Sequence, residues 1–128
     1  MEIKNFSIGA DIESIDRFRK FNRADANSFL NRIFTKNELD YCFSKEDTAP
    51  HLAARYSGKE AIIKALSGIS KSTLDYRDIE IFNNENGAPM VRLNNSNFDK
   101  LHTIISLSHC SDKALAFAIV MKVDSNEK

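Results

Sequence analysis

The 128-residue chain carries 18 basic and 18 acidic side chains, a formal net charge of zero, with 42% hydrophobic and 28% charged residues. That length suits one domain spanning residues 1–128 with a modest core, and the composition is far from that of a disordered chain. A balanced charge excludes a global pull toward nucleic acid or an anionic membrane, so recognition of any charged partner must rest on local clusters. The N-terminal residues are polar and no apolar run is long enough to span a bilayer, which predicts neither signal peptide nor membrane helix and makes the cytoplasm the expected compartment. Cys42 and Cys110 lie far apart without a C-x-x-C pairing, as expected of two free thiols.

Residues 6–12 alternate well enough to predict a strand, with Gly9 permitting close approach to its backbone and Asp11 near its end. The spacing of Ile15, Phe18 and Phe21, and then of Phe29, Leu30 and Ile33, predicts two short helices with Asp25 as a cap between them. Thr35-Lys36-Asn37-Glu38 has the pattern of a capping box, in which the threonine hydroxyl and the glutamate each satisfy a free backbone N–H; it opens a helix through Leu39 and Tyr41. Residues 48–66, rich in alanine, form the longest helical candidate, and Gly68 marks its end. The period then changes to two. Residues 78–82 and 88–93 read as strands joined through 83–87, where Asn86-Gly87 signals a hairpin, and residues 102–108 and 114–123 predict two further strands. The expected class is α+β: an N-terminal strand and helices, one of them long, followed by an antiparallel sheet.

On the long helix, steps of about 100° per residue put Leu52, Tyr56, Ile63 and Leu66 on one apolar arc. Lys59 projects into the middle of that arc, Arg55 lies within it, and Glu60 and Lys64 follow its edge. Buried charges need partners or a bound ion. An ordinary i,i+4 pair between Glu60 and Lys64, with lysine stems reaching solvent, is a sufficient structural account of the helix taken alone. Asp11 alone reads equally as a cap at a strand end, a role for which Glu13 and Asp16 compete, and His109 alone as a structural histidine.

Taken together, these segments resemble the holo-acyl carrier protein synthase family of 4′-phosphopantetheinyl transferases. The likeness lies in Ile8-Gly9-Ala10-Asp11-Ile12 with Arg17 six residues after the aspartate, in residues 32–39, and in the helix from Leu52 through Arg55, Lys59, Glu60 and Lys64 to Ala65. Asp78-Ile79-Glu80-Ile81, Asn86-Gly87-Ala88-Pro89 and Ser106-Leu107-Ser108-His109 complete the ordered set, so the resemblance covers nearly the whole chain. Three departures stand out, the first of them Ala10 before the aspartate, where a threonine or another residue is commoner. The loop Ser67-Gly68-Ile69-Ser70-Lys71 keeps one glycine where the family often has a glycine-rich turn, and Cys110 follows His109 where a small hydroxyl residue is usual.

The resemblance implies a 4′-phosphopantetheinyl transferase-like fold and transfer of the 4′-phosphopantetheine group from coenzyme A to a serine of acyl carrier protein, in support of fatty acid biosynthesis. It implies magnesium held by Asp11 and Glu60, since magnesium takes one or two carboxylates with waters and phosphate oxygens. Glu60 and Lys64 are the implied catalytic residues, with Lys64 beside the transferred phosphoryl group. Removal of the serine proton stays open between Glu60 acting through a water and a hydroxide on the metal. Arg55, Lys59, Lys64, Gly87, Pro89 and His109 are the implied coenzyme A contacts. Arg17, Lys20 and Arg23, recurring every three residues, would form a basic face for an acidic carrier protein. The family's architecture implies a homotrimer, and no nucleic acid or membrane partner is expected. A catalytically silent module that binds carrier protein or coenzyme A is the alternative, against which the retention of Asp11, Glu60 and Lys64 argues.

Overall fold

The computed structural model describes residues 3–24 and 28–123, so the expected Asp25 cap lies outside the described residues. Strand β1 (Ile3–Ser14) leads into a 3-10 turn at Ile15–Phe18, followed by helices α1 (Ser28–Ile33), α2 (Lys36–Phe43) and α3 (Thr48–Ser67). Strands β2 (Ile79–Asn83), β3 (Pro89–Leu93), β4 (Leu101–His109) and β5 (Lys113–Val123) complete the order, and the class is α+β as predicted.

The first strand does not stand apart from the sheet. It pairs antiparallel with β5, which also pairs with β4, in the order β1-β5-β4, while β2 and β3 form a separate two-stranded ladder. Local periodicity reports that a segment is extended but not which distant segment it meets, so the pairing of Ile8 with Ile119 was not readable in advance. Alternation then sorts the side chains. Phe6, Ile8 and Ile12 of β1, Leu115 and Phe117 of β5 and Ile104 of β4 fall on one exposed face. Gly9, Ala114, Ala116, Ala118 and Val120 fall on the other, which α3 covers.

Small residues on that inner face let helix and strand come into backbone contact. A Cβ at Gly9 would lie 2.0 Å from the carbonyl oxygen of Ala61 and 2.8 Å from the amide nitrogen of Ala65. Helix α3 is correspondingly more enclosed than its apolar arc suggested, with 13 of its 20 residues buried, Ala53, Ala61 and Ala65 among them. A helix covered on most sides needs no amphipathic stripe.

The capping box forms as predicted: Thr35 Oγ1 accepts from the Glu38 amide at 3.2 Å, and Glu38 Oε1 accepts from the Thr35 amide at 2.9 Å. The first predicted helix does not continue. After Phe18 the chain turns, the Phe21 amide donating to the Phe18 carbonyl, and the rings of Phe18, Phe21, Phe29 and Tyr56 gather into one cluster in which Phe21 and Phe29 stack at 5.3 Å. Aromatic packing against α3 thus replaces helical continuation. The β2–β3 connection is longer than a two-residue hairpin: Gly87 alone has positive φ, at 86°, and the Asn84 side chain accepts from the Asn86 and Ala88 amides.

Candidate active site

The inner face of β1 meets α3 where both carry charge. Asp11 and Glu13, two residues apart on the strand, point to the same side, and the Lys64 ammonium reaches across from α3 to Asp11 Oδ1 at 3.1 Å and to the Ala10 carbonyl at 3.1 Å. Lys64 therefore pairs with the strand and not with Glu60. Asp11 is nearly enclosed, its side chain 10% exposed, and its Oδ2 is buried with no hydrogen-bond partner among the described residues. Glu13 lies against it. Burial first, and then contact with the Asp11 carboxyl, pushes the Glu13 carboxyl up to about 7, while Arg17, bonded to Glu13 Oε1 at 2.9 Å, pulls the other way.

Glu60 adds a third negative group to this corner, contributing to the rise at Glu13. Its Oε2 accepts from the Tyr56 hydroxyl at 3.0 Å, and the Tyr76 ring stacks on Tyr56 at 5.9 Å. Burial and the Glu60 charge raise the Tyr76 hydroxyl above its ordinary range. Among the described residues no three His, Cys, Asp or Glu side chains converge as a metal cage. An unpartnered carboxylate oxygen on Asp11 with Glu60 nearby is instead a hard-oxygen donor set that fits magnesium completed by waters and phosphate oxygens.

Lys59 does not join this group. It is fully buried, and its ammonium is spent on Glu38 Oε1 at 2.6 Å, the Ile33 carbonyl at 2.7 Å and the Tyr76 carbonyl at 3.0 Å. An ammonium has three protons, so none is left for a phosphate. Its expected place among the coenzyme A contacts is corrected by this network, which ties α3 to α2 and to the segment before β2.

Arg55, Gly87, Pro89 and His109 are brought together at a second hollow of about 170 Å³. Arg55 Nη2 donates to Asn83 Oδ1 at 2.6 Å, its guanidinium lies 4.1 Å from the Tyr41 ring centroid, and its Nε is buried with no partner among the described residues. Asn83 in turn donates to the Gly87 carbonyl at 2.9 Å, which fixes the hairpin loop against Arg55. His51 lines the same hollow, its ring centroid 6.4 Å from that of His109. Burial, then the Arg55 and Lys45 charges, lowers its pKa.

The three basic residues expected on a docking helix are dispersed. Arg17 holds Glu13 and lies 5.2 Å from the Tyr56 ring centroid, Lys20 sits over Phe21, and Arg23 binds Asp40. Arg17 therefore borders the acidic corner more closely than sequence reasoning allowed. Glu13, Tyr56, Tyr76 and His51 were missed as participants. Strand alternation pairs Glu13 with Asp11, and one helical turn relates Tyr56 to Glu60 and His51 to Arg55, so three of the four left a signal; Tyr76, brought in by a loop, left none. Both cysteines are free as expected, Cys42 buried and Cys110 exposed.

The profile of the 4′-phosphopantetheinyl transferase superfamily matches residues 7–120. The chain is 42% identical over 126 residues to a holo-(acyl-carrier-protein) synthase of Chlamydia muridarum, covering 95% of this chain and 99% of that one. It is 40% identical over 115 residues to the synthase of Protochlamydia amoebophila, at 88% and 94% coverage. The crystal structure of the Helicobacter pylori synthase in complex with coenzyme A superposes with a TM-score of 0.74 at 32% identity, covering 88% of this chain and 98% of that one. A model of that family matched over most of the chain, relatives about 40% identical along nearly their whole length and a like fold lead to one conclusion: the chain belongs to the 4′-phosphopantetheinyl transferase superfamily.

Proposed function

We infer that residues 1–128, as one domain, transfer the 4′-phosphopantetheine group from coenzyme A to a serine of apo-acyl carrier protein, leaving adenosine 3′,5′-bisphosphate and serving fatty acid biosynthesis. The observation that carries this reading is the meeting of Asp11 and Lys64 beside Glu60, with one Asp11 oxygen left without a partner among the described residues. Asp11 and Glu60 would hold magnesium, which when bound neutralises pyrophosphate charge and orients its oxygens. Lys64, its side chain 56% exposed, can turn from Asp11 to the transferring phosphoryl group, where charge develops. Tyr56, with the Tyr76 ring stacked on it, holds the Glu60 carboxylate in place. Arg55 and His109, with Gly87 and Pro89, suit the phosphate and base of the nucleotide end. Arg17, Lys20 and Arg23, although not on one helix, remain exposed positive groups, Arg17 bordering the corner, and serve to attract an acidic carrier.

The acidic corner and the Arg55 hollow are separate on one chain, and the sheet's outer face carries Phe6, Ile8, Ile12, Ile104, Leu115 and Phe117 exposed together. A patch of that kind supports association of copies, and a homotrimer that brings one chain's corner to another's hollow would complete the site. Among the described residues no helix is long and apolar enough to cross a membrane, in keeping with a cytoplasmic enzyme. Incubation with apo-carrier protein, coenzyme A and magnesium tests the activity: the carrier should gain the mass of one phosphopantetheine group. An unchanged carrier mass would leave only the silent binding module. Light scattering tests the assembly, for which the expected mass is that of three chains and a monomeric mass with full activity refutes it.

A further inference from the structure

We propose that Lys59, whose protons are all taken inside the core, is a positioning residue for the acidic corner: it holds Tyr76 against Tyr56, and Tyr56 in turn holds the Glu60 carboxylate for the metal. The assignment rests on the transfer reading above, in which Asp11 and Glu60 hold magnesium, and concerns how this chain prepares Glu60 for that ion. Lys59 and Glu60 are neighbours on α3, so their side chains leave the helix about 100° apart. One enters the core and the other faces the corner.

The path between them runs through two rings. Glu60 is half-buried at the edge of the helix, and its Oε2 accepts from the Tyr56 hydroxyl one turn earlier at 3.0 Å. A hydroxyl fixed on one carboxylate oxygen limits the rotation of the group and leaves the second oxygen for coordination, the usual task of a residue behind a metal ligand. Tyr56 can do this while its own ring is held. Phe18 and Phe29 pack against it at 5.6 and 5.9 Å, and Tyr76 stacks on it with the ring planes 18° apart.

Tyr76 stands on a three-residue 3-10 turn, Tyr76–Asp78, that precedes β2 and lies outside its ladder. The Ile79 amide donates to the Tyr76 carbonyl but moves with the turn, and the Asp78 carbonyl, accepting from the Asn94 amide at 2.7 Å, ties the turn to the residue after β3. Lys59 ties it to α3: the ammonium donates to the Tyr76 carbonyl at 3.0 Å while Glu38 Oε1 and the Ile33 carbonyl hold it from α2 and the end of α1. A buried ion pair is weak evidence for stability, since apolar residues of similar volume often serve as well. What the ammonium offers beyond an aliphatic chain is three directed bonds, one of which sets the height of Tyr76 over Tyr56.

The test reads metal affinity in place of turnover, with manganese as the paramagnetic probe and its binding followed by electron paramagnetic resonance without coenzyme A. Tyr56→Phe should weaken manganese about threefold to tenfold, the worth of one hydrogen bond. Tyr76→Phe keeps the ring and should stay within about twofold of wild type, whereas Tyr76→Leu should match Tyr56→Phe. The double variant Tyr56→Phe/Tyr76→Leu should be no weaker than either single one, because Tyr76 acts through the Tyr56 hydroxyl. Lys59→Met should weaken manganese to the same extent. Adding Glu38→Gln to it separates positioning from stability: the melting temperature should rise over that of Lys59→Met, and the manganese affinity should not. Recovery of both together, wild-type affinity in Tyr76→Leu, or no manganese binding by the wild type would overturn the assignment. If Lys59→Met does not fold, its double variant with Glu38→Gln and the tyrosine series decide. Failure of the wild-type protein to modify apo-carrier protein would instead refute the transfer reading, and the manganese series would still decide the role of Lys59.

Discussion

Replacing Lys59 by methionine removes an ammonium that has no solvent contact and leaves the volume of the side chain nearly unchanged. Three bonds disappear, to Glu38, the Ile33 carbonyl and the Tyr76 carbonyl. The Glu38 carboxylate keeps its bonds from the Thr35 amide at 2.9 Å and the Ile81 amide at 2.7 Å, but stays buried without a counter-charge. Breaking one partner of a buried pair costs about 3–5 kcal/mol, because the survivor is left unpaired in a medium of low dielectric. Set against a typical total of about 5–15 kcal/mol for a domain, the loss is large, and it should lower the melting temperature by roughly 10–20 °C. Adding Glu38→Gln removes the stranded charge, so the double variant should be more stable than the sum of the single losses predicts, by about 2 kcal/mol or more. Thermal melts of the four proteins, with coenzyme A titrated into each, read both quantities. Strict additivity would refute the pair. Normal stability with lost coenzyme A binding would return Lys59 to the ligand site.

Asp11→Ala and Glu60→Ala should each abolish transfer in a folded protein, and Lys64→Ala should slow it about 10²-fold with a smaller change in coenzyme A affinity; turnover at saturating substrates distinguishes these from losses of binding. Glu13, lifted from 4.5 to about 7, holds a proton in the folded state that the unfolded chain has already released. Its contribution is therefore complete below about pH 4.5 and is lost as pH rises through about 7. In metal-free buffer Glu13→Gln should gain about 1–2 kcal/mol over wild type at pH 8 and nothing at pH 4, a figure reduced from the full shift because solvent at the edge of the corner screens it. Parallel stability profiles across that range would remove Glu13 from the acidic cluster. Gly9→Ala forces a methyl group into the Ala61 and Ala65 backbone. It should cost about 3 kcal/mol and displace Asp11, lowering both melting temperature and turnover.

Local chemistry carried well from sequence to structure. Thr35 and Glu38 announced the start of α2, and the alternation of 6–12 announced β1. Lys59 shows where such reading stops: helical periodicity put it on the buried side, but its partner Glu38 already had a sufficient explanation as the far half of the capping box. In the structure Glu38 does both, one carboxylate serving the Thr35 amide, Lys59 and Ile81. Lys64 shows the converse. Four residues from Glu60, it suggested a pair within the helix, yet its ammonium goes to Asp11, because the small residues along β1 and β5 bring the strand close enough to compete. Distances between elements are set by packing, which no short window of sequence contains. The breakdown of the helix after Phe18 has the same origin, since ring packing against Tyr56 outweighed a favourable spacing.

Among the described residues strand β1 finds its only ladder partner in β5, and that has a bearing on how the protein comes into being. During synthesis the residues that will become β1 leave the ribosome well before those of β5, with Phe6, Ile8 and Ile12 in an extended segment that has nothing to pair with. The strand that completes them is made only after α1 to α3 and β2 to β4. Asp11 cannot take its position against α3 on a settled sheet until Ala116 arrives beside it, so the acidic corner should assemble only once β5 has been made. A nascent chain halted before residue 113 would expose an unpaired apolar edge, which is a natural binding site for a chaperone that recognises extended hydrophobic segments.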